Sequence, residues 1–319
     1  MSQRTVSAAV PGASPAKAAR RLLRRWESPF AGYLFLAPWL LGLGLLTCWP
    51  MVQSLYFSFT KYSLLDAPEW VAFENYQRIF LSDTVFTQSL KVTFLFVFVS
   101  VPLKLISALA VAMFLKQNIR GMSFYRTMIY FPSLIGTSIA VAILWRNLFD
   151  TDGLFNQLLG VFGIKGVSWI TNPNTALGTL IVLVVWQFGS SMVIFLAGLK
   201  QISNELYEAS AVDGAGKARQ FFKITLPMLS PVILFNLVLQ TIGSFQMFTQ
   251  AFIITEGGPI NSTYMYSLYL YDRAFGRLQM GYASSLAWIM LIIIAVCTAL
   301  IFLSSKYWVF YDDERGKSR

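Results

Sequence analysis

Apolar residues in this chain come in long unbroken runs, without the alternation of strands or the one-sided stripes of surface helices. Six runs have the length to cross a membrane, at about 31–60, 88–115, 124–148, 176–199, 229–252 and 282–306. A hydrocarbon core about 30 Å thick needs roughly 20 residues of helix. A membrane barrel would instead show segments of about ten residues with alternating polarity. The pattern therefore predicts an all-α integral membrane protein with six transmembrane helices. It divides into an N-terminal tail (1–29), a first transmembrane helix (30–60), an external segment (61–87), a five-helix core (88–308) and a C-terminal tail (309–319).

Composition agrees: 56% of residues are hydrophobic and 13% charged, against about a quarter charged in soluble domains. The net charge of +10 takes its meaning from its placement. The N-terminal tail holds six Lys and Arg, the loop near 116–126 three, the loop 200–227 four and the C-terminal end from Lys306 onward four, whereas the three alternate loops hold two each. Positive residues gather on the cytoplasmic side, so both termini and the loop 200–227 are expected in the cytoplasm. The charge is a topology signal, with no nucleic-acid partner implied. A basic start before an apolar run also resembles a secretory signal. Here the run continues past Pro50 to about Phe59 without a convincing cleavage pattern, so the first helix is expected to be retained.

Histidine is absent, and Cys48 and Cys297 sit singly in apolar runs. No His/Cys metal cluster and no Cys–His nucleophile pair can be built from these residues. No G-x-x-x-x-G-K-[ST] phosphate loop is present either. Catalytic residues, metal ligands and a resident cofactor are therefore not expected. ATP-driven work would need an ATPase on a separate polypeptide.

The most specific stretch lies in the loop 200–227. Ser203 is an N-cap candidate, followed by Glu205 in the first helical turn. Gly214 and Gly216 permit a sharp reversal. A second short helix, Lys217 to Thr225, offers Phe221, Phe222 and Ile224 for burial. Pro227 and Pro231 suit the first turn of the following span, where a missing N–H costs nothing. The spacing of Glu208-Ala209-Ser210, Asp213-Gly214-Ala215 and Leu226-Pro227 resembles the EAA loop of the membrane-spanning subunits of bacterial ABC importers, in its carbohydrate-permease version. Ser210 departs from the motif's alanine but is small enough for the same helix packing. Arg120-Gly121 with Phe124-Tyr125-Arg126, Gly257-Gly258-Pro259 and Gly281-Tyr282-Ala283-Ser284 extend the likeness from about Ser89 to Tyr307. Together they resemble the first-listed permease of the multiple-sugar and maltose-type uptake systems.

That resemblance implies a type I ABC importer permease fold in the bacterial inner membrane and a subunit that performs no bond chemistry. It implies a second homologous permease, two ABC ATPase subunits that bind ATP and Mg, an extracytoplasmic solute-binding protein and a sugar substrate. Glu208, Ala209, Ser210, Asp213, Gly214, Ala215, Leu226 and Pro227 would then form the cytoplasmic coupling-helix loop that seats in the ATPase cleft.

The spans flanking this loop carry polar groups at helical spacing. The fifth shows Asn236, Gln240, Ser244 and Met247–Phe248, and the fourth shows Trp186, Gln187, Phe188, Ser190 and Ser191. Polar groups inside a membrane need a partner or a wet cavity. These residues are the substrate-path candidates, with interhelical hydrogen bonding as the alternative for each one. Lys104, in the second span after Pro102, is left without a role. Two rivals stand beside the sugar reading. An ABC importer of amino acids, phosphate or peptides would call for an opposing charge in the spans, and few charges lie there. An ion-coupled secondary transporter would place Asp, Glu or His within spans, and no acid falls in the middle of a run. Outside the membrane, Tyr76, Ile79, Phe80 and Leu81 are expected on the apolar side of an interfacial helix. Tyr264, Tyr266, Tyr269 and Tyr271 are expected to pack over the membrane surface.

Overall fold

The computed structural model describes residues 29–117 and 120–310. The basic N-terminal tail expected over 1–29 and the C-terminal tail beyond Phe310 lie outside the described residues, save Pro29. The chain forms two units, Met1–Tyr56 and Phe57–Arg319, each described by itself.

In the first unit, helix α1 (Pro29–Leu43) runs through a π-turn at Gly44–Cys48 into α2 (Trp49–Ser58). Pro50 explains the turn. A proline lacks an N–H, and its ring clashes with the carbonyl four residues earlier. Here the chain adds one residue just before the proline, so that the Trp49 N–H reaches the Gly44 carbonyl. The helix then continues as one apolar span, Gly32–Ser58.

The second unit begins with a short antiparallel ladder, β1 (Thr60–Lys61) with β2 (Glu69–Trp70), Thr60 opposite Trp70. Helix α3 (Glu74–Leu81) follows. Its apolar side is divided, contrary to the expectation of one interfacial stripe. Ile79 is buried in a cluster with Tyr282 and Leu286, whereas Phe80 and Leu81 are exposed. Helix α4 (Thr84–Leu115) is the central span, capped by the Asp83 carboxylate on the Phe86 N–H at 3.0 Å.

The third and fourth apolar runs are not straight spans. The third is α5 (Met122–Ile135) and α6 (Ile139–Leu148), bent by 98°. After α7 (Leu154–Val161), the fourth is α8 (Ala176–Trp186) and α9 (Gly189–Gln201), bent by 42°. With each bent pair taken as one span, the helices among the described residues that are long and apolar enough to cross a membrane number six. A break in a membrane helix frees backbone groups that must find partners, and these two breaks supply each other. The Gln187 side chain donates to the Gly136 carbonyl at 2.8 Å. In return Ser133 Oγ donates to the Gln187 carbonyl at 3.0 Å and accepts from the Ser190 N–H at 3.1 Å.

Beyond the loop helix α10 (Asn204–Val212), the separate second helix expected at Lys217–Thr225 is instead the start of the fifth span. Helix α11 (Lys217–Gln220), a π-turn at Phe221–Thr225, α12 (Leu226–Phe245) and α13 (Thr249–Ile254) form one stretch, Lys217–Ile254. Pro227 occupies the first turn of α12, as expected, whereas Pro231 sits inside the helix. The device at Pro50 recurs: Leu226 N–H reaches the Phe221 carbonyl just before Pro227. The Pro227 carbonyl, which Pro231 cannot serve, accepts Ser230 Oγ at 2.6 Å. Of the three residues expected to be buried here, Phe222 is 63% exposed. Its ring meets Phe221 edge-on at 5.0 Å and otherwise stays on the surface.

Helix α14 (Tyr266–Tyr271), a π-turn at Asp272–Gly276 and α15 (Met280–Trp308) complete the unit. The core joins α4, α8, α9 and α12 through Phe96, Leu180, Met192, Phe195, Leu199 and Leu229. Lipid is as apolar as these side chains, so close packing holds the helices together here.

Candidate functional site

At one end of α4 the chain builds a compact elbow. Ser203 Oγ accepts from the Glu205 N–H at 3.2 Å and starts α10. The helix ends in a Schellman motif: Ala215 N–H reaches the Ser210 carbonyl at 2.9 Å and Gly214 N–H the Ala211 carbonyl at 3.0 Å. Gly214 takes φ +77°, and a side chain there would be strained by conformation alone, since the space around it is open.

Ser210, the departure from the motif, does more than fit. Its Oγ donates to the Tyr207 carbonyl at 2.9 Å and accepts from Gln220 Nε2 at 2.9 Å, which also donates to the Tyr207 carbonyl at 3.0 Å. This ties α10 to the foot of the fifth span. Tyr207 completes the anchor, with its hydroxyl 2.9 Å from Thr225 Oγ1 and the Lys116 ammonium 4.6 Å from its ring centroid. Glu208, Ala209, Asp213 and Gly214 face outward, Ala215 is half-buried, and Leu226 and Pro227 lie in the helix below. Val212, 90% exposed, and Phe222 add apolar surface beside Glu208, Lys217 and Arg219.

Within the span region, the structure brings Gln187, Gln240, Ser244 and Met247 around one cavity of about 320 Å³. The remaining candidates but one lie elsewhere. Asn236 is fully buried, with Nδ2 donating to the Val232 carbonyl at 3.1 Å. Trp186 packs at a tilt against Trp145, ring centroids 5.7 Å apart. Phe188 packs on the core, Ser191 is buried, and Ser190 is half-buried beside Ser133. The bend after Gln187 turns the residues that follow away from the cavity, which a uniform helical period does not foresee.

Phe248, the last of the fifth-span stripe, also lines the cavity, together with residues missing from the sequence-based set: Lys104, Thr137, Gln246, Thr249 and Gln250. The helix break at Gln246–Phe248 returns Gln250 to the wall, where Nε2 is 3.4 Å from the Gly136 carbonyl. Lys104 was visible as a span lysine. Only the packing of α4 against α8 and α12 places it in this hollow. A charge at mid-bilayer costs about 2.5–3.5 kcal/mol, so its position calls for a compensating group.

At the far end of α4 from the elbow, Asp83 accepts hydrogen bonds from the Tyr269 and Tyr282 hydroxyls and lies 3.5 Å from Arg273 Nη2. Arg273 Nε donates to the Tyr269 hydroxyl at 2.9 Å and Nη1 to Gln279 at 3.2 Å. Burial alone raises the Asp83 carboxyl. The two phenols, the Phe86 N–H and the Arg273 charge outweigh it and hold the carboxyl below its ordinary value. Tyr266 and Tyr269 are thus core residues, beneath the surface position expected for them.

A multi-pass chain with an exposed elbow and a polar cavity between its spans has the build of a transport component. It matches the family described as binding-protein-dependent transport system inner membrane component over residues 86–309, and it belongs to that family. The probable ABC transporter permease protein YesP of Bacillus subtilis is 52% identical over 89% of this chain and 93% of its own length. The lactose transport system permease protein LacF of Rhizobium radiobacter is 33% identical, over 86% and 94%. In fold, the chain resembles one from a bacterial ABC transporter involved in the import of the acidic polysaccharide alginate. The TM-score is 0.77 at 20% identity, covering 90% of this chain and 98% of that one. The protein is therefore a multi-pass inner-membrane permease of type I ABC importer fold.

Proposed function

We propose that this permease forms half of the path by which a sugar or oligosaccharide enters the cell, driven by ATP hydrolysis on separate subunits. The observation that carries the reading is the stretch Lys217–Ile254, which begins in the elbow and ends in the cavity wall. From Lys217 to Ser244 it spans about 40 Å at 1.5 Å per residue. A rigid rod of that length transmits a displacement of the elbow to Gln240, Ser244 and Met247.

In this reading the elbow docks in a groove of one ATPase subunit through its outward charges and the apolar Val212 and Phe222. Closure of the ATPase pair draws this elbow toward that of a second, homologous permease. The cavity then opens outward to a sugar-loaded binding protein, and reopening of the pair turns it inward. Both termini and the elbow are cytoplasmic. ATP and Mg belong to the ATPase pair, and this chain performs no bond chemistry. The sugar assignment draws support from the lactose-transport relative and from the amide, hydroxyl and aromatic lining of the cavity.

The test is uptake of the cognate sugar alongside subunit assembly in Glu208→Ala and Gly214→Val variants. Gly214→Val should abolish the Schellman turn and lower uptake at least tenfold, with the membrane subunits still associated. Unchanged uptake in both variants would remove the coupling role.

A further inference from the structure

Among the residues lining the intramembrane cavity, Lys104 alone is charged. It is 8% exposed, and no acid, hydrogen-bond acceptor or ring among the described residues pairs with it. A lysine inside a bilayer has three routes to stability: reaching the interface, pairing with an acid, or facing a wet cavity with a ligand. Lys104 is eleven residues from the end of α4 at Leu115, about 16 Å of helix, and its side chain is buried in the cavity wall. Among the described residues no acid pairs with it. The cavity remains.

The rest of the wall says what kind of ligand. Gln187 and Gln250 each donate one amide N–H to the Gly136 carbonyl, at 2.8 and 3.4 Å. Their oxygens are left as acceptors, which suit hydroxyl groups. Gln240 and Ser244 add uncharged hydrogen-bonding groups, and the Phe248 ring offers an apolar face for sugar C–H groups. An occupant that satisfies this wall carries hydroxyls together with at least one negative group beside Lys104. We propose that the cavity takes an acidic sugar, with Lys104 as its countercharge. This rests on the sugar reading above and reverses the expectation, drawn from the scarcity of span charges, that the substrate is neutral.

The experiment uses the complete transporter, purified with its partner permease and ATPase pair. The probes are hexuronate trisaccharides and sulfated trisaccharides, each beside its carboxyl-reduced or desulfated counterpart. At least one acidic member should bind about ten- to hundredfold tighter than its neutral counterpart, the scale of a hydrogen bond to a charged group. Lys104→Met should erase the preference and Lys104→Arg should retain most of it. Should Lys104→Met not assemble, Lys104→Gln serves instead, since it too removes the charge and should erase the preference. Equal binding of acidic and neutral members, or a preference that survives Lys104→Met, overturns the proposal. Binding of neutral sugars alone overturns it and leaves the sugar reading standing, as does loss of assembly without any acid preference in the wild type, which would mark Lys104 as paired with the second permease. Binding of no sugar overturns both.

Discussion

Gly281 and Asp83 show how single positions hold the end of the molecule opposite the elbow. A Cβ on Gly281 would sit 2.0 Å from the Thr60 carbonyl, while its N–H bonds the Tyr62 carbonyl at 3.0 Å. Next to it, Tyr282 donates to Asp83, and Ser285 donates to the Ser58 carbonyl at 2.8 Å. The Gly-Tyr-Ala-Ser tetrapeptide thus seams the last span to the first strand and to the Asp83 cluster. Asp83→Asn should cost about 3–5 kcal/mol, the range for breaking a buried pair, because Arg273 is left without its charge partner. The pH dependence has a definite sign. A carboxyl held below its ordinary value stabilises the fold above about pH 4 and loses that contribution as pH falls through the folded value. Thermal unfolding of the detergent-purified protein should therefore show an acid-sensitive component that Asp83→Asn lacks. An unchanged profile in the variant would assign the acid sensitivity elsewhere.

At the scale of elements, proline and glutamine decide how apolar runs become spans. Two prolines, Pro50 and Pro227, are each preceded by a π-turn that ends two residues earlier. Both helices continue past them, where a regular α-helix would kink. The third and fourth runs break instead, and each break is satisfied from the other. Gln187→Leu removes the main donor to the Gly136 carbonyl and should destabilise the protein by about 1–3 kcal/mol. Ser133→Ala strips partners from the Gln187 carbonyl and the Ser190 N–H. Because the two side chains serve one junction, the double variant should cost less than the sum of the single ones. A melting series of the four proteins measures the difference, and strict additivity would mean that the breaks are independent.

For the whole molecule, orientation is the quantity on which the transport reading turns. Val212 in the elbow and Ile260 near the opposite end are both exposed, at 90% and 88%. In a background with Cys48 and Cys297 replaced by serine, Val212→Cys should react with an impermeant maleimide only when the cytoplasmic face is open to it. Ile260→Cys should react in intact cells stripped of their outer barrier. Labelling of Val212→Cys from outside would invert the topology and detach the elbow from any cytosolic ATPase.

Length and continuity of the apolar runs were enough to read an all-helical membrane protein from residues alone, because the bilayer sets how many apolar residues a helix needs. The elbow was legible for a related reason: Ser203, Gly214 and the spacing between them act through local backbone geometry, which is written in consecutive residues. What the chain could not disclose along its length is where helices bend and which faces then meet. Gln187 sits just before a bend that turns Ser190 and Ser191 from the cavity, and Asn236 is sealed by its neighbours. Lys104 and Gln250 lie 146 residues apart in sequence and share one wall only after packing. Helical period specifies a direction around an axis. What lies in that direction depends on the angles between helices, and those are set by long-range contacts and by broken backbone bonds finding partners.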